Sequence, residues 1–510
     1  MRKTLKSTFW QLVVVYTILI ALISFNLFWK YTLHFEILAL IVGVLGVIAV
    51  GKEETDKKIN KKLHYALLII GVVLIIGLRV LPYLNNSVPL GYDAGIYKYG
   101  IEQFSENGFG VENWVKGAFE PGFLYLMFVL ENVFSSEFIL IWLFILFSLV
   151  LGISVYFCGK EHFGKRAGII AFLLFAVSVI QFKVFSFMYY KNVLALVFML
   201  WALVFLNRGK RTRFVILGAL VGMMHRATFF IFGLAYLGFV VYNWKEWKVR
   251  VLDGILILVL VGIGYIGFWR TSILPLISPV AESFISPGNS PGTFVSFFTY
   301  QFSTLAYLPF ALIGLGSLAV KKKFNMLFFW AVINAGIVYF QFFFFNRFII
   351  HLDIALIILA GLGFSVLIEN KKKLGSLILI IMLISAGFVA VNESRNVGQR
   401  IGEDGLEMIK NLNNVEEDAR VIALSSEYSP WVLGYSERRT IAPGLFEENV
   451  WDKREWERFW GSNNEEETRE LMKRYGGGDI YLFAGTKTFN NPCFTVYIEN
   501  NGWRTYKYAC

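Results

Sequence analysis

Charged residues are scarce in this chain. Only 17% of its 510 residues are Asp, Glu, Lys or Arg, whereas roughly 25% is usual for a soluble domain. Hydrophobic residues make up 56% of the chain and aromatic residues 17%. This composition excludes an ordinary soluble domain and predicts a polytopic α-helical membrane protein.

Cysteine and histidine are also scarce, at three and five residues. Three cysteines exclude a disulfide scaffold, and their spacing does not match a zinc site. The formal charge of +11 would indicate nucleic acid only if the basic residues were gathered on one solvated surface. They lie in short clusters between apolar runs, so we expect membrane lipids and no nucleic acid as partners.

Thirteen apolar segments are expected to cross the bilayer, because about 20 apolar residues span its hydrocarbon core as a helix. The first segment is too long for a signal-peptide core and lacks a small-residue cleavage site, so we expect it to be retained. The predicted spans are 9–29, 33–50, 65–81, 138–157, 167–184, 190–206, 213–225, 227–243, 251–269, 298–319, 324–343, 348–368 and 374–391.

The basic clusters predict the orientation of these spans, because cytoplasmic loops carry an excess of Lys and Arg. With a cytoplasmic N-terminus, every cluster between spans falls inside, provided that the short apolar stretch 123–134 does not cross. This stretch is about twelve residues long and contains Glu131, which favours an interfacial helix. The clusters are at 52–62, 160–166, 208–213, 245–250, 321–323 and 371–373.

The extracytoplasmic side then holds a long loop at 82–137, a second loop at 270–297 and everything after residue 392. We therefore predict a transmembrane domain at 1–392 and a small extracytoplasmic domain at 393–510, in a multi-pass protein of the plasma membrane. Alternating strand and helix patterns after residue 393 indicate an α/β domain. That domain has no Gly-rich phosphate loop and no HExxH motif.

The long outer loop contains the first candidate for chemistry. Asp93 stands where a helix N-cap would, before a helical stretch that begins at Ala94. Asp93 and Tyr97 share one face of that helix. Two interpretations stay open from these residues: Asp93 only caps the helix, or its carboxylate has a catalytic role.

The order of features in this loop resembles the GT-C superfamily of membrane glycosyltransferases, which includes protein O-mannosyltransferases and lipid A aminoarabinose transferases. The shared features are an early Asp, a Tyr soon after, a Pro-containing segment and a juxtamembrane helix. Here they are Asp93, Tyr97, Glu120-Pro121 and 123–134. Arg347 at the outer end of a late span and an external C-terminal domain also fit. Ala94 stands where many members have a second carboxylate, which leaves a requirement for a divalent metal open.

The resemblance implies an inverting transfer of a sugar from a polyprenyl-phosphate donor to a glycan, lipid or protein acceptor. Asp93 would be the general base, because a hydroxyl is a weak nucleophile. The phosphate would need fixed positive charge, for which Arg347 is the first candidate, followed by Lys191, His225, Arg226 and His351. Tyr97 and Glu120 are further candidates for substrate binding.

Alternatives remain at this stage both for the candidate residues and for the whole chain. The basic residues could instead snorkel to lipid headgroups, and Asp353 could pair helices. The chain could be a transporter or lipid flippase, although a transporter should concentrate its polar residues at mid-membrane. It could also be a polysaccharide polymerase or ligase with another membrane fold.

The C-terminus contains a predicted hairpin with a disulfide. Asn501-Gly502 is a strong signal for a two-residue type I′ turn. Pairing outward from this turn places Glu499 opposite Arg504, Tyr497 opposite Tyr506 and Cys493 opposite Cys510, with the cysteine Cα atoms about 4.5 Å apart. Two reduced cysteines are the alternative. The bond is expected only on the oxidising side of the membrane.

Overall fold

The computed structural model describes residues 2–24, 32–53, 59–273, 295–342, 344–446, 448–476 and 478–510. Most of the predicted outer loop at 270–297 lies outside these residues. The chain divides into two compact units. We call residues 1–81, 120–123 and 144–397 the membrane unit, and residues 82–119, 124–143 and 398–510 the outer unit.

The membrane unit is helical, and each predicted span coincides with a helix or with a pair of helices joined at a bend. Its helices are Arg2–Ser24, Thr32–Val50, Lys61–Val80, Phe144–Phe163, Lys165–Ala176, Val179–Ser186, Tyr190–Asn207, Arg211–Met224, Arg226–Tyr242, Trp247–Gly264, Phe297–Thr304, Leu308–Val320, Met326–Tyr339, Phe345–Asn370 and Lys372–Asn396.

Within the described residues, seven helices are long and apolar enough to cross a membrane. Two pairs bent by 53° and 79° raise this number to nine if each pair is one span. The predicted spans 213–225, 227–243, 251–269 and 324–343 are helical but do not meet the same test. Thirteen crossings therefore remain a prediction.

The helix Phe345–Asn370 forms the centre of the membrane unit. Its most hydrophobic window is completely buried, although Arg347, His351 and Asp353 interrupt its apolar sequence. It packs closely on Leu308–Val320, because Gly314 and Gly363 leave room for the opposing backbones. A Cβ atom at Gly363 would lie 1.9 Å from the carbonyl oxygen of Phe310. Small residues at such a crossing are typical of helix packing in membranes.

The outer unit combines residues of the predicted first outer loop with the C-terminal region. A Cβ atom at Gly95 would lie 1.8 Å from the carbonyl oxygen of Pro430, which shows how closely the two parts pack. The helices of this unit are Ala94–Asn107, Asn113–Ala118, Pro121–Glu131, Ser136–Phe138, Glu403–Lys410, Ser429–Tyr435, Lys453–Gly461 and Glu465–Met472. The first three residues of the helix Pro121–Glu131 belong to the membrane unit.

The C-terminal region contains five strands, which form one sheet in the order β2-β1-β3-β5-β4. Strands β2 and β3 pair with β1 in parallel, whereas β5 pairs with β3 and β4 in antiparallel fashion. The small α/β domain is thus confirmed as a fold. The strands are β1 (Arg420–Ala423), β2 (Arg439–Ile441), β3 (Ile480–Gly485), β4 (Phe494–Asn500) and β5 (Trp503–Tyr508).

The β4–β5 hairpin turns at Asn501 and Gly502, whose φ angles are +48° and +81°, as a type I′ turn requires. Glu499 pairs with Arg504 as expected. The predicted pairing of Tyr497 with Tyr506 is wrong, because the register shifts between Val496 and Ile498 and Val496 faces Tyr506 instead. Such a shift is typical of a β-bulge, in which one strand carries an extra residue.

The shifted register brings the backbone of Ala509 against Cys493, whose carbonyl accepts the Ala509 N–H at 2.8 Å. Cys510 follows directly, and the structure joins it to Cys493 in a disulfide with a Cα–Cα distance of 5.0 Å. The separation of the two Cα atoms is within the range that a disulfide spans.

We expect Cys493 and Cys510 to resist alkylation until a reductant is added. The measurement is maleimide labelling of protein purified without reductant, in a Cys158→Ala background that removes the buried free thiol. Reduced protein is the positive control. Ready alkylation of Cys493 in unreduced protein would contradict both the bond and the extracytoplasmic location of the C-terminal region.

Candidate functional site

Glu120 forms the centre of a buried ionic cluster in the membrane unit. Its side chain is only 2% exposed and lies between two cations. Lys191 Nζ is 2.9 Å from Oε2, and Arg226 Nε is 3.1 Å from Oε1. Burial alone would raise the pKa of Glu120, but Lys191 and Arg226 together lower it well below its usual range. Glu120 is therefore an anion that orients two cations.

The backbone around Glu120 explains this position. Gly122 lies against the end of the helix Arg211–Met224, where an added Cβ atom would be 2.7 Å from the Cβ of Met223. This contact places the Glu120 carboxylate at the N-terminus of the next helix, and Arg226 N donates to Oε1 at 3.2 Å. A carboxylate at a helix N-terminus satisfies an unpaired N–H group and the positive end of the helix dipole.

Arg226 is oriented by a second acceptor, since its Nη1 donates to the carbonyl oxygen of Ser272 at 2.7 Å. Lys191 lies in the first turn of the helix Tyr190–Asn207. The ring of Tyr190, which begins this helix, lies 5.7 Å from that of Phe123. The two cations thus come from different helices and meet at one carboxylate.

Two histidines, His225 and His351, also belong to the cluster and are linked by the side chain of Thr228. Nδ1 of His225 accepts the backbone N–H of Thr228 at 3.2 Å, so the neutral ring carries its proton on Nε2. The Thr228 hydroxyl lies 2.9 Å from that Nδ1 and 3.3 Å from Nε2 of His351. His351 is fully buried, and its Nδ1 has no hydrogen-bond partner within the described residues.

Arg347 lies one turn before His351, in the first turn of the central helix. It is exposed, and its guanidinium lies 5.6 Å from the centre of the Phe344 ring. Glu120, Lys191 and Arg347 are all close enough to His225 to act on it electrostatically. The cluster therefore holds three cations and one carboxylate, which is an excess of positive charge.

Asp93 and Tyr97 belong to the outer unit. Asp93 is the N-cap residue of the helix Ala94–Asn107, but its side chain makes no capping hydrogen bond, so capping does not account for its carboxylate. Tyr97 is 5% exposed and packs on Phe119 at a ring distance of 5.5 Å. The predicted residues thus separate into one pair in the outer unit and six residues in the membrane unit.

Sequence reasoning missed Thr228, which connects the two histidines. Its position three residues after His225 was the available signal, because an N-cap side chain reaches the N–H at that distance. A second buried network surrounds Asp353, whose carboxylate accepts hydrogen bonds from Ser178, Gln181 and Tyr307. These contacts join three segments of the membrane unit, as expected for a residue that pairs helices. In the part of the chain that the structure describes, no three His, Cys, Asp or Glu residues are grouped to hold a metal ion.

Comparisons with known proteins bear on the fold and on the family. The structure is similar to that of the oligosaccharyltransferase AglB from Archaeoglobus fulgidus in complex with an inhibitory peptide and a dolichol-phosphate, with a TM-score of 0.62 at 15% identity over 83% of this chain and 69% of that chain. It is also similar to ArnT from Cupriavidus metallidurans bound to undecaprenyl phosphate, with a TM-score of 0.62 at 13% identity over 88% of this chain and 98% of that chain.

None of the curated proteins matches the sequence. The EpsG family matches residues 62–398, more than half of the chain. AglB and ArnT are both GT-C glycosyltransferases, so the similarity confirms the predicted GT-C-like membrane fold. The chain belongs to the EpsG family.

Proposed function

We propose that this protein transfers a sugar from a polyprenyl-phosphate donor to an acceptor on the extracytoplasmic side of the membrane. The observation that carries the proposal is the Glu120 cluster, which holds Lys191 and Arg226 beside His225 in a GT-C fold. AglB and ArnT, which share this fold, have structures with dolichol-phosphate and undecaprenyl phosphate.

The basic cluster has the chemistry that a lipid phosphate requires. Lys191 and Arg226 are already oriented by Glu120, so little side-chain freedom is lost when an anion arrives. Arg347 adds a planar guanidinium that can bind two phosphate oxygens at once. We assign binding of the donor phosphate to these three side chains. His225 and His351 would form hydrogen bonds with the same phosphate.

We assign the general base to Asp93. The acceptor oxygen forms a bond to the anomeric carbon while the bond from that carbon to the phosphate oxygen breaks. The electron pair leaves with the phosphate, and the acceptor proton passes to the Asp93 carboxylate and then to water. Attack opposite to the phosphate inverts the anomeric configuration. The basic cluster stabilises the charge that develops on the leaving phosphate.

The family membership bears on the acceptor. EpsG is a polymerase family, which favours a growing glycan over a lipid or protein acceptor. A polymerase with a different membrane fold is excluded by the GT-C fold, whereas polymerisation by this fold agrees with the proposal. The N-terminus is then cytoplasmic and residues 393–510 are extracytoplasmic.

Binding of undecaprenyl phosphate to the full chain in nanodiscs tests the proposal. We expect saturable binding that undecaprenol, which lacks the phosphate, does not reproduce. Binding of both lipids with equal affinity would contradict a phosphate site. A lipid flippase would also bind the phosphate, but translocation of a lipid requires no general base. The Asp93 variant below therefore separates the two functions.

Asp93→Asn keeps the size of the side chain and removes its basicity, so we expect glycan synthesis to fall by at least about a hundredfold. Binding of undecaprenyl phosphate should be unchanged. The measurement is incorporation of radiolabelled sugar into glycan by membranes from expressing cells. Asp452→Asn is the matched control, because Asp452 is also an N-cap residue and asparagine still caps. Wild-type incorporation by the Asp93 variant would refute the base assignment.

Arg347→Lys retains the charge and loses the planar fork, so we expect affinity for undecaprenyl phosphate to fall about tenfold. Arg213→Lys serves as the control, since Arg213 is an exposed arginine at the start of another helix. Equal affinity for undecaprenyl phosphate in the Arg347 variant and the wild type would contradict phosphate binding by Arg347 and favour snorkelling to lipid headgroups.

Glu120→Gln removes the anion between two cations, and we expect a loss of about 3 kcal/mol in the free energy of unfolding. The change should also increase the stabilisation that undecaprenyl phosphate provides, because the cations then lack their internal anion. Thermal unfolding with and without the lipid measures both effects. Glu369→Gln breaks a more exposed ion pair with Arg166 and should cost at most about 1 kcal/mol. An equal loss in both variants would contradict the central place of Glu120.

A further inference from the structure

A cleft of about 880 Å³ lies within the outer unit. Its volume is in the range of small-molecule sites. Tyr99, Glu102 and Glu106 line it from the helix Ala94–Asn107. With about 3.6 residues per turn, these three side chains lie on the side of the helix away from Asp93. The cleft is therefore separate from the proposed base.

One wall of the cleft is aromatic. The rings of Tyr99 and Trp114 are stacked, with centroids 5.5 Å apart and planes 20° apart. The ring of Phe446 from the C-terminal region lies 5.4 Å from Trp114. Three rings from different segments thus form one continuous surface.

A single carboxylate holds two of these rings in place. Trp114 Nε1 donates to Oε2 of Glu112 at 2.6 Å, and the Tyr99 hydroxyl donates to the same oxygen at 3.1 Å. Because both polar groups share one acceptor, the orientation of the rings is set before any ligand binds. Such preorganisation lowers the entropic cost of binding.

The polar lining is acidic. Its two arginines are Arg438 and Arg439. The guanidinium of Arg438 donates to the carbonyl oxygens of Asn413 and Val415 at 2.7 and 2.8 Å, so it serves the structure. Two carboxylates of the lining are paired with cations, Glu102 with Lys98 and Glu448 with Arg420 and Arg439. The other four still outnumber the arginines of the lining, so a negatively charged ligand would be repelled. The acidic lining residues are Glu102, Glu106, Glu112, Glu131, Glu437 and Glu448.

Two lining residues have an uncommon backbone conformation. Glu437 and Phe446 have φ angles of +51° and +64°, in the left-handed region that non-glycine residues rarely adopt. Strained residues concentrate at ligand sites. Here they fix a carboxylate and a ring of the same cleft.

We infer that this cleft binds an uncharged oligosaccharide, which is the glycan acceptor of the proposed transfer and so rests on the proposed function. Sugar rings have apolar C–H faces that pack on aromatic rings, and their hydroxyl groups donate to carboxylates. The cleft supplies both partners on fixed side chains. Its negative charge selects neutral glycans over those that carry carboxylates or phosphates.

The test is isothermal titration of the full chain in nanodiscs with four probes: chitotetraose, cellotetraose, maltotetraose and tetragalacturonate. We expect at least one neutral tetrasaccharide to bind, and tetragalacturonate to bind at least about tenfold more weakly. Trp114→Ala should lower the affinity for the neutral probe about tenfold, and Trp114→Phe should restore most of that affinity. Trp244→Ala is the matched control, because Trp244 is an exposed indole stacked on Trp247 in the membrane unit.

Three results would overturn the inference. The first is that no neutral probe binds. The second is that the Trp114→Ala variant binds the neutral probe with wild-type affinity, as the Trp244→Ala control does. The third is that tetragalacturonate binds more tightly than the neutral probes. Oligosaccharide binding without any binding of undecaprenyl phosphate would refute the proposed donor while keeping the cleft, and the reverse result would refute only the cleft.

Discussion

The organisation of the candidate donor site depends on the cost of burying the Glu120 carboxylate. A buried anion is tolerated only when cations and hydrogen-bond donors replace the water it has lost. Lys191 and Arg226 meet this requirement from two different helices, and the first N–H group of a helix supplies a third contact. The same requirement therefore brings together the cations that we assign to the donor phosphate.

The scaffold behind this cluster is built for rigidity. The central helix Phe345–Asn370 is buried from Phe348 to Leu367, and close backbone packing at Gly314 and Gly363 leaves little room for it to shift. Arg347 and His351 are carried by this helix, one turn apart. A functional side chain on a packed helix keeps its position better than one on a loop, which suits the proposed binding of a charged headgroup in a set orientation.

The candidate sites of the two units differ in the sign of their charge. The cluster in the membrane unit has an excess of cations, whereas the cleft in the outer unit has an excess of carboxylates beside aromatic rings. A lipid phosphate and a neutral sugar chain make opposite demands on a binding site, because one needs positive charge and the other needs ring faces and acceptors. Under the proposed function, each substrate therefore binds to the unit whose charge suits it.

The sequence by itself predicted the apolar segments that became helices, the alternation of strands and helices in the C-terminal region, the type I′ turn at Asn501 and Gly502, and six residues of the Glu120 cluster. These features depend on local periodicity and residue type. Only the tertiary structure decided that Glu120 meets Lys191 and Arg226, that Thr228 links His225 to His351, and that a bulge moves Tyr497 out of register with Tyr506. Those outcomes depend on how segments that are distant in sequence pack together and on how buried charges are paired. Local sequence patterns predict neither of these.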